Sequence, residues 1–188
     1  MRKIFLILIS VIFMGCTAAL PQKMEIDKNY SLLGVKSYSL KIDNSKTNID
    51  PNLNKNFLSG YTQLLEGNVK MALLKEVPEL HHSNDNSDIS IEINIEEIHG
   101  GSAAARFWVG FGAGRSVSTV FVKVFKKGAI QSEARITETT TLTNLATGNY
   151  SNEDALMQDI PLISRNIAEF IRNPSEYKEK DNPNKTNR

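Results

Sequence analysis

The sequence predicts an α+β fold, a two-layer sandwich in which two helices cover one face of a mostly antiparallel sheet of about four strands. Several short segments alternate apolar and polar residues with a period of two, which is typical of strands that bury one face. Two longer segments repeat apolar residues every three or four positions, which is typical of amphipathic helices. The order is strand, helix, strand, strand, strand, helix, and stacking both helices on the sheet would bury every apolar face.

The first strand and the first helix come early in the chain. Residues 38–42 alternate apolar and polar side chains, which predicts a strand. Apolar residues then recur at helical spacing from about residue 52 to 75, and Pro78 ends this helix. Gly60 and Gly67 lie near its apolar stripe, where each lowers helix stability by up to ~1 kcal/mol. We expect a close approach of the helix to the sheet at these two positions.

Three further strands follow from clear alternation. SDISIEINIEEI (residues 87–98) places isoleucines on one face and polar side chains on the other. SVSTVFVKVF (116–125) shows the same pattern, with valines at alternate positions. The sequence KKG at 126–128 predicts a turn, so residues 129 to about 145 form the partner strand of a hairpin.

The second helix occupies residues 153–173, where leucine and isoleucines recur at helical spacing. Pro161 interrupts this pattern, because proline lacks the backbone N–H that a helix interior uses. It either kinks the helix or starts its main segment, and in the second case Asp159 is the expected cap.

The first twenty residues, MRKIFLILISVIFMGCTAAL, have the layout of an export signal. Two basic residues precede an apolar run of eleven residues, which is shorter than the roughly 20 that span a bilayer core. Phe13-Met14-Gly15-Cys16 resembles a bacterial lipobox, in which the cysteine is lipidated and becomes the first mature residue. By the same resemblance, Thr17 after the cysteine favours the outer membrane. An uncleaved membrane anchor is the alternative.

The chain therefore divides into a lipoprotein signal peptide (1–15), a lipidated cysteine with a flexible tether (16–34), one globular domain (35–172) and a disordered charged tail (173–188). The formal net charge is +1, and loss of Arg2 and Lys3 with the signal peptide makes it −1. Such a balance provides no basic excess for nucleic-acid binding. With Cys16 lipidated, no cysteine remains for a disulfide, a catalytic thiolate or a zinc site.

SAAARFWVGFGAGRS, residues 102–116, combines closely spaced glycines with aromatic side chains. A phosphate-binding loop needs a helix after the glycines, but the residues that follow are strand-like, so we expect no nucleotide. One strand from Arg106 to Lys126 would be about 70 Å long at ~3.3 Å per residue, far beyond the usual length. The glycines therefore predict a turn or a bulge that breaks this run.

The same stretch is also a candidate contact surface. Its aromatic residues form an apolar cluster flanked by arginines, which suits a membrane-interface loop or the groove of a partner protein. The architectural and the contact interpretations are compatible. The candidate residues are Arg106, Phe107, Trp108, Gly110, Phe111, Gly112, Gly114 and Arg115.

The run ARFWVGFGAGR, followed by alternating valines and a hairpin, is similar to bacterial lipoproteins of the domain of unknown function 4410 family. The resemblance covers about residues 35–172, and its specific part is Arg106 to Gly114. Members of the family usually have an Asp-x-x-Thr-Gly turn in the next hairpin, where this chain has the shorter KKG turn. The resemblance implies an envelope lipoprotein without assigned chemistry.

Other chemistry-bearing residues form no catalytic pattern. His81 and His82, with Asp85 and Asp88 nearby, are weak metal candidates, because adjacent histidines in a polar loop usually point apart. His99 has no serine or cysteine partner at a diagnostic spacing. We therefore expect no catalytic residues, no metal and no cofactor.

These observations predict a non-enzymatic protein of the bacterial cell envelope, held in the membrane by its N-terminal lipid, facing the periplasm and docking to another envelope protein. Two alternatives stay open. One is an oligomeric secretion- or pore-associated component that uses the glycine-rich hairpin. The other is a periplasmic domain that binds or hydrolyses a small ligand, which a cleft of converging polar side chains would favour.

Overall fold

The computed structural model describes residues 31–101, 115–139 and 151–174. Within these residues two strands precede the first helix and four strands precede the second, and the second half of the chain contributes a long hairpin followed by a helix. In chain order the elements are β1 Ser37–Asp43, β2 Asn48–Ile49, α1 Phe57–Glu76, β3 His81–His82, β4 Ile89–His99, β5 Val117–Lys126, β6 Ala129–Glu138 and α2 Asn152–Arg172.

The sheet is mixed, with the strand order β3-β1-β4-β5-β6 and β2 paired to β4. The prediction of about four, mostly antiparallel strands is therefore wrong: six strands lie among the described residues, and β1, β2 and β3 form parallel pairs. Tyr38 of β1 lies opposite Ile89 of β4, and Asp43 lies opposite Asn94. Helix α1 carries the chain back to the end where β1 began, so β4 enters the sheet in the same direction.

The hairpin of β5 and β6 turns where predicted, but β6 ends at Glu138, and from residue 140 on the predicted continuation to about residue 145 lies outside the described residues. Lys126 lies opposite Ala129, which leaves Lys127 and Gly128 as a two-residue loop. Both loop residues have positive φ, 52° and 78°, the combination that a type I′ turn requires. Strands β4 and β5 also pair antiparallel, from Ile89 opposite Lys126 to His99 opposite Val117.

Helix α1 begins at Phe57, about one turn later than predicted. The residues before it use their side chains locally: Asp50 Oδ1 accepts from Asn52 N at 2.9 Å, and Asn54 Oδ1 accepts from Asn56 N at 2.9 Å. Such bonds compete with helical ones and delay the start of the helix. An added Cβ at either glycine of α1 would meet nothing within 4 Å, so the expected approach of the sheet there is wrong.

Helix α2 is one continuous helix whose cap is Ser151, so the prediction of Asp159 as a cap is wrong. Ser151 Oγ accepts from Asp154 N at 3.1 Å, and Asp154 Oδ2 accepts from Ser151 N at 3.0 Å. These reciprocal bonds form a capping box, and Glu153 and Asp154 place negative charge in the first turn, which the helix dipole favours. Pro161 lies inside the helix with its ring exposed.

The two helices lie side by side over the buried face of the sheet. Near their first residues Asn54 N donates to Glu153 Oε1 at 2.9 Å, and at their last turns Arg172 Nη1 donates to Glu76 Oε2 at 2.8 Å, so they run in the same direction. Helix α2 also packs on β5 and β6. Fully buried side chains of this core include Tyr61, Leu65, Val69, Leu73, Ile91, Ile93, Val122, Val124, Ile163 and Ile167.

The opposite face of the sheet is polar and partly exposed. Arg135 on β6 reaches across β5 to Glu96 on β4, with its Nε and Nη2 donating to the two carboxylate oxygens at 2.6 and 2.8 Å. The guanidinium and the Lys123 ammonium both lie over the ring of Phe121, at 5.7 and 5.2 Å from its centroid. The helices thus cover one face only.

Candidate functional site

The predicted contact segment connects β4 to β5, and its two ends meet at one end of the sheet. His99 and Val117 are the last pair of the β4–β5 ladder, so Gly101 and Arg115 leave the sheet side by side. We call the described residues around these two ends the connection base. The predicted residues that lie outside the described part are Cys16, Arg106, Phe107, Trp108, Gly110, Phe111, Gly112 and Gly114.

On the β4 side, the connection base is organised by the buried carboxylate of Asp50, which follows β2. Its Oδ2 accepts a hydrogen bond from Gly100 N at 3.1 Å, and its backbone N–H donates to Ile98 O at 2.9 Å. The backbone N–H of Asn52 is the main cause that lowers the pKa of Asp50, and the N–H of Gly100 contributes to the same effect. Asp50 is therefore a charged acceptor that holds the exit of β4.

Gly100 occupies a position where no side chain fits. A Cβ at Gly100 would lie 2.4 Å from Cβ of Asn152, the first residue of α2. Real Cβ atoms do not approach this closely. The backbone at Gly100 therefore packs directly against Asn152, and only glycine leaves room for this contact. The predicted interruption of β4 by glycine thus has a packing reason.

His99 ends β4 and is half exposed. Its Nδ1 lies 3.8 Å from Asp50 Oδ2, but the same nitrogen accepts a hydrogen bond from Gly101 N at 3.0 Å. Nδ1 of His99 thus lies between the backbone of Gly101 and the carboxylate of Asp50 at the end of β4.

On the β5 side, the connection base contains a second buried carboxylate, that of Asp159 in α2. Ser116 Oγ donates to Asp159 Oδ2 at 3.1 Å, and Ser118 Oγ lies 3.4 Å from the same oxygen. All three residues are at most 1% exposed. Hydrogen bonds to a carboxylate are about twice as strong as those between neutral groups, so Asp159 ties the entry of β5 to α2.

Tyr61 of α1 and Arg115 complete this side of the connection base. Burial raises the pKa of Tyr61, and the negative charge of Asp159 raises it further. The Tyr61 hydroxyl lies near Ser118, although no contact between them has hydrogen-bond geometry. Among the described residues, the Tyr61 hydroxyl and Arg115 Nε have no hydrogen-bond partner although both are buried.

The hydrogen bonds of the connection base fix the two ends of the segment in position. Ser116 donates to Asp159, whereas His99 lies beside Asp50 on the other side. A nucleophilic triad needs a histidine between the hydroxyl and the carboxylate, and the described residues do not place one there. The arrangement instead holds both ends of residues 102–114 through charged hydrogen bonds to elements far away in the sequence.

The histidine pair that the sequence offered as a weak metal candidate forms the short strand β3. Both residues are exposed, and the ring of His82 packs edge-on against Tyr38 with centroids 5.3 Å apart. Across residues 31–101, 115–139 and 151–174, no group of three or more potential ligands could hold a metal ion.

A shallow pocket of about 340 Å³ lies at the other end of the sheet, beside the β5–β6 turn. Asp88 Oδ2 is already used there, because it accepts from Lys36 N at 2.8 Å and from Ser37 N at 3.0 Å. These bonds lower the pKa of Asp88 and join the starts of β1 and β4. The residues lining the pocket are Ser87, Asp88, Ile89, Ser90, Glu92, Phe125, Lys127 and Gly128.

Sequence reasoning missed the role of both carboxylates of the connection base, since it named Asp159 only as a candidate helix cap. A signal for Asp159 exists: it lies three residues after Leu156 and four before Ile163, on the apolar stripe of α2, where a carboxylate needs a partner. For Asp50 the sequence offers no such signal, since it lies in a polar connection. Among the described residues, neither helix is long and apolar enough to cross a membrane.

A family model, domain of unknown function (DUF4410), matches residues 38–153, more than half of the chain. No curated protein matches this chain in sequence. The PelC dodecamer from Paraburkholderia phytofirmans is similar at 11% identity and a TM-score of 0.46, covering 76% of this chain and 95% of that one. A minor lipoprotein from Acinetobacter baumannii is similar at 14% identity and a TM-score of 0.41, covering 74% and 94%.

Proposed function

We propose, from the premise that this chain belongs to the domain of unknown function 4410 family, that it is a lipid-anchored docking domain of the bacterial cell envelope. In this proposal the protein has no catalytic role of its own. The lipid on Cys16 holds it at the membrane on the periplasmic side, and the residues between β4 and β5 bind a partner protein of the envelope.

The N-terminal sequence supports the anchoring half of the proposal. A basic start, a short apolar run and Gly15-Cys16 match the layout of a lipoprotein signal. Attachment of two or more lipid chains would hold the domain stably at the membrane, whereas one chain binds only marginally. By resemblance to the sorting of bacterial lipoproteins, Thr17 after the cysteine favours the outer membrane as the destination.

The connection base is the observation that carries the docking half. Two buried carboxylates, Asp50 and Asp159, hold the exit of β4 and the entry of β5 on opposite sides. The segment between them contains the tryptophan of this chain and two phenylalanines, the residue types that dominate contact energies in protein interfaces. Fixing both ends of such a segment lowers the entropy that binding would otherwise cost.

The docking proposal is tested by capture of partners from solubilised envelopes, with wild type compared with a Trp108→Ala, Phe111→Ala double variant. We expect wild type to retain one defined envelope protein and the double variant to lose it at least tenfold, because truncation of aromatic anchors typically removes ~2 kcal/mol or more. Circular dichroism and thermal melting of both proteins show whether the variant is folded.

A Leu33→Ala, Ile130→Ala double variant is the matched control. These side chains are 90% and 50% exposed, and both lie at the end of the sheet opposite the connection base. The control should capture the partner as wild type does. Equal capture by all three proteins, or specific capture by none, would refute docking through residues 102–114.

The anchoring half is tested separately by Cys16→Ser. We expect wild type to incorporate radiolabelled palmitate and to fractionate with outer membranes, and the variant to lose the label. If wild type carries no label, the cysteine is not an anchor, whatever the capture experiment shows.

A further inference from the structure

Helix α1 has a second apolar face, on the side away from the core. Leu64, Met71 and Leu74 are 49%, 68% and 57% exposed, although all three are large and apolar. The core face of the same helix is formed by residues at other positions, from Phe57 to Leu73 in steps of four. The packing of α1 on α2 and the sheet therefore leaves these three side chains unused.

Two glycines complete this face. Gly67 lies between Leu64 and Met71, Gly60 lies one turn before Leu64, and a Cβ added to either glycine would meet nothing within 4 Å. Glycine inside a helix costs ~1 kcal/mol relative to alanine, and the fold of one chain does not require it at these positions. We define the outer stripe as Gly60, Leu64, Gly67, Met71 and Leu74.

The outer stripe has the spacing of a helix-pairing seam. Its members follow one another in steps of four, three, four and three residues, as the contact positions of coiled coils do. At 100° per residue they lie within about a quarter of the helix circumference and extend over ~21 Å. Small residues on such a seam allow two helix axes to come close together.

We propose that the outer stripe binds the outer stripe of a second copy of this chain, with the two α1 helices antiparallel and the two-fold axis at Gly67. In this register Leu64 of one protomer lies within about one residue rise (~1.5 Å) of the level of its partner's Met71. Gly60 faces Leu74, so that a large side chain fills the space left by a glycine. Each large residue meets a complementary one, as an isologous interface requires.

The charges beside the stripe suit a second copy better than a membrane surface. Lys70 flanks the stripe and pairs with Glu66 within the same helix, with Nζ to Oε1 at 2.7 Å. Lys75, on the other side of the stripe, is exposed and makes no ion pair among the described residues, so one unpaired positive charge lies beside the stripe. A helix that lies on an anionic membrane carries several unpaired lysines and arginines beside its apolar face.

The size of the contact predicts a weak dimer. Specific interfaces bury about 1,200–2,000 Å² in total, and a single pair of helices of this length lies at or below the low end. We therefore expect self-association between about 10 and 500 µM, measured by sedimentation equilibrium of the full chain carrying Cys16→Ser in mild detergent.

Cysteine pairs test the register in the same Cys16→Ser background. A mixture of Leu64→Cys and Met71→Cys should form a disulfide dimer under mild oxidation. Leu64→Cys alone and Met71→Cys alone should not. Ser59→Cys, exposed on α1 but outside the stripe, is the matched control and should stay monomeric.

Parallel packing would crosslink Leu64→Cys to itself and would refute the proposed register. A disulfide yield from the Leu64→Cys and Met71→Cys mixture no higher than that of Ser59→Cys, or a monomer throughout the concentration range, would refute the dimer. Binding of the monomer to anionic vesicles that is lost in Leu64→Gln would assign the stripe to a membrane instead.

Gly67→Ala separates the interface from the stability of the fold. Alanine favours the helix at this open position, so the melting temperature should rise. The dimer should nevertheless weaken at least tenfold, because the added methyl groups meet on the two-fold axis. A rise in melting temperature with unchanged self-association would contradict close packing at Gly67.

Discussion

At the scale of single residues, the connection base depends on contacts between positions far apart in the chain. Asp50 accepts from the backbone of Gly100, and Asp159 accepts from Ser116, 43 residues earlier. Each carboxylate is buried, so each requires the hydrogen bonds that it accepts to offset the loss of water. The predicted contact segment is thus held by residues that a local pattern does not connect to it.

Gly100→Ala should destabilise the protein by about 1–3 kcal/mol, because the new methyl group would overlap Cβ of Asn152 at 2.4 Å and the backbone would have to shift. Urea denaturation of wild type and variant gives the difference directly. Gly67→Ala is the matched control, since its open surroundings predict a gain of about 0.5–1 kcal/mol. A neutral Gly100→Ala would mean that α2 and the end of β4 do not touch as described.

At the scale of elements, the two helices differ in what starts them. Apolar spacing predicted both, because each buries one stripe, but their first residues are decided by side-chain hydrogen bonds. Ser151 caps α2 with a capping box, whereas Asn56 makes no side-chain bond to the start of α1. The sequence suggested Asp159 as the cap of α2 because Pro161 follows it, yet the helix continues through the proline.

This difference predicts that Ser151→Ala costs about 1 kcal/mol, since the N–H of Asp154 would lose its acceptor. Asn56→Ala should change stability by less than about 0.5 kcal/mol, because it removes no capping bond. Chemical denaturation of the two variants measures both values. Equal costs for the two substitutions would show that the capping box does not stabilise α2.

At the scale of the whole molecule, acid should unfold the domain. Hydrogen bonds from backbone N–H groups lower the pKa of Asp43, Asp50 and Asp88 below the ordinary value of 3.8. In acid the unfolded chain therefore binds protons before the folded one does. The stability contributed by these carboxylates is present above about pH 4 and is lost as the pH falls through their folded pKa values.

We expect the melting temperature to be flat between about pH 5 and 7 and to fall steadily from about pH 4 to 2. Asp50→Asn should lower the melting temperature at pH 7, because Gly100 and Asn52 lose a charged acceptor. The same variant should show a shallower fall in acid, since it has one carboxylate fewer to protonate. Calorimetry at several pH values measures both effects. If the melting temperature of the variant falls in acid as steeply as that of wild type, the pKa of Asp50 is not lowered in the folded state.

The sequence by itself determined the strands, the helices and the hairpin with its KKG turn, because periodic burial and turn chemistry act over a few neighbouring residues. It also identified the family, through the run from Arg106 to Gly114. The parallel pairing of β1 with β4 and the short strands β2 and β3 were decided by tertiary structure, since a two-residue strand has no period and pairing direction depends on where α1 returns the chain.

Tertiary structure also decided what the buried carboxylates and the glycines of α1 do. Asp159 became an acceptor for Ser116 only because β5 packs on α2, and Asp50 reached Gly100 only because β2 pairs with β4. Gly60 and Gly67 looked like contacts to the sheet until the packing of α1 turned them outward. The physical reason is common to all four: a side chain's partner depends on which elements fold against each other, and local spacing contains no information on that choice.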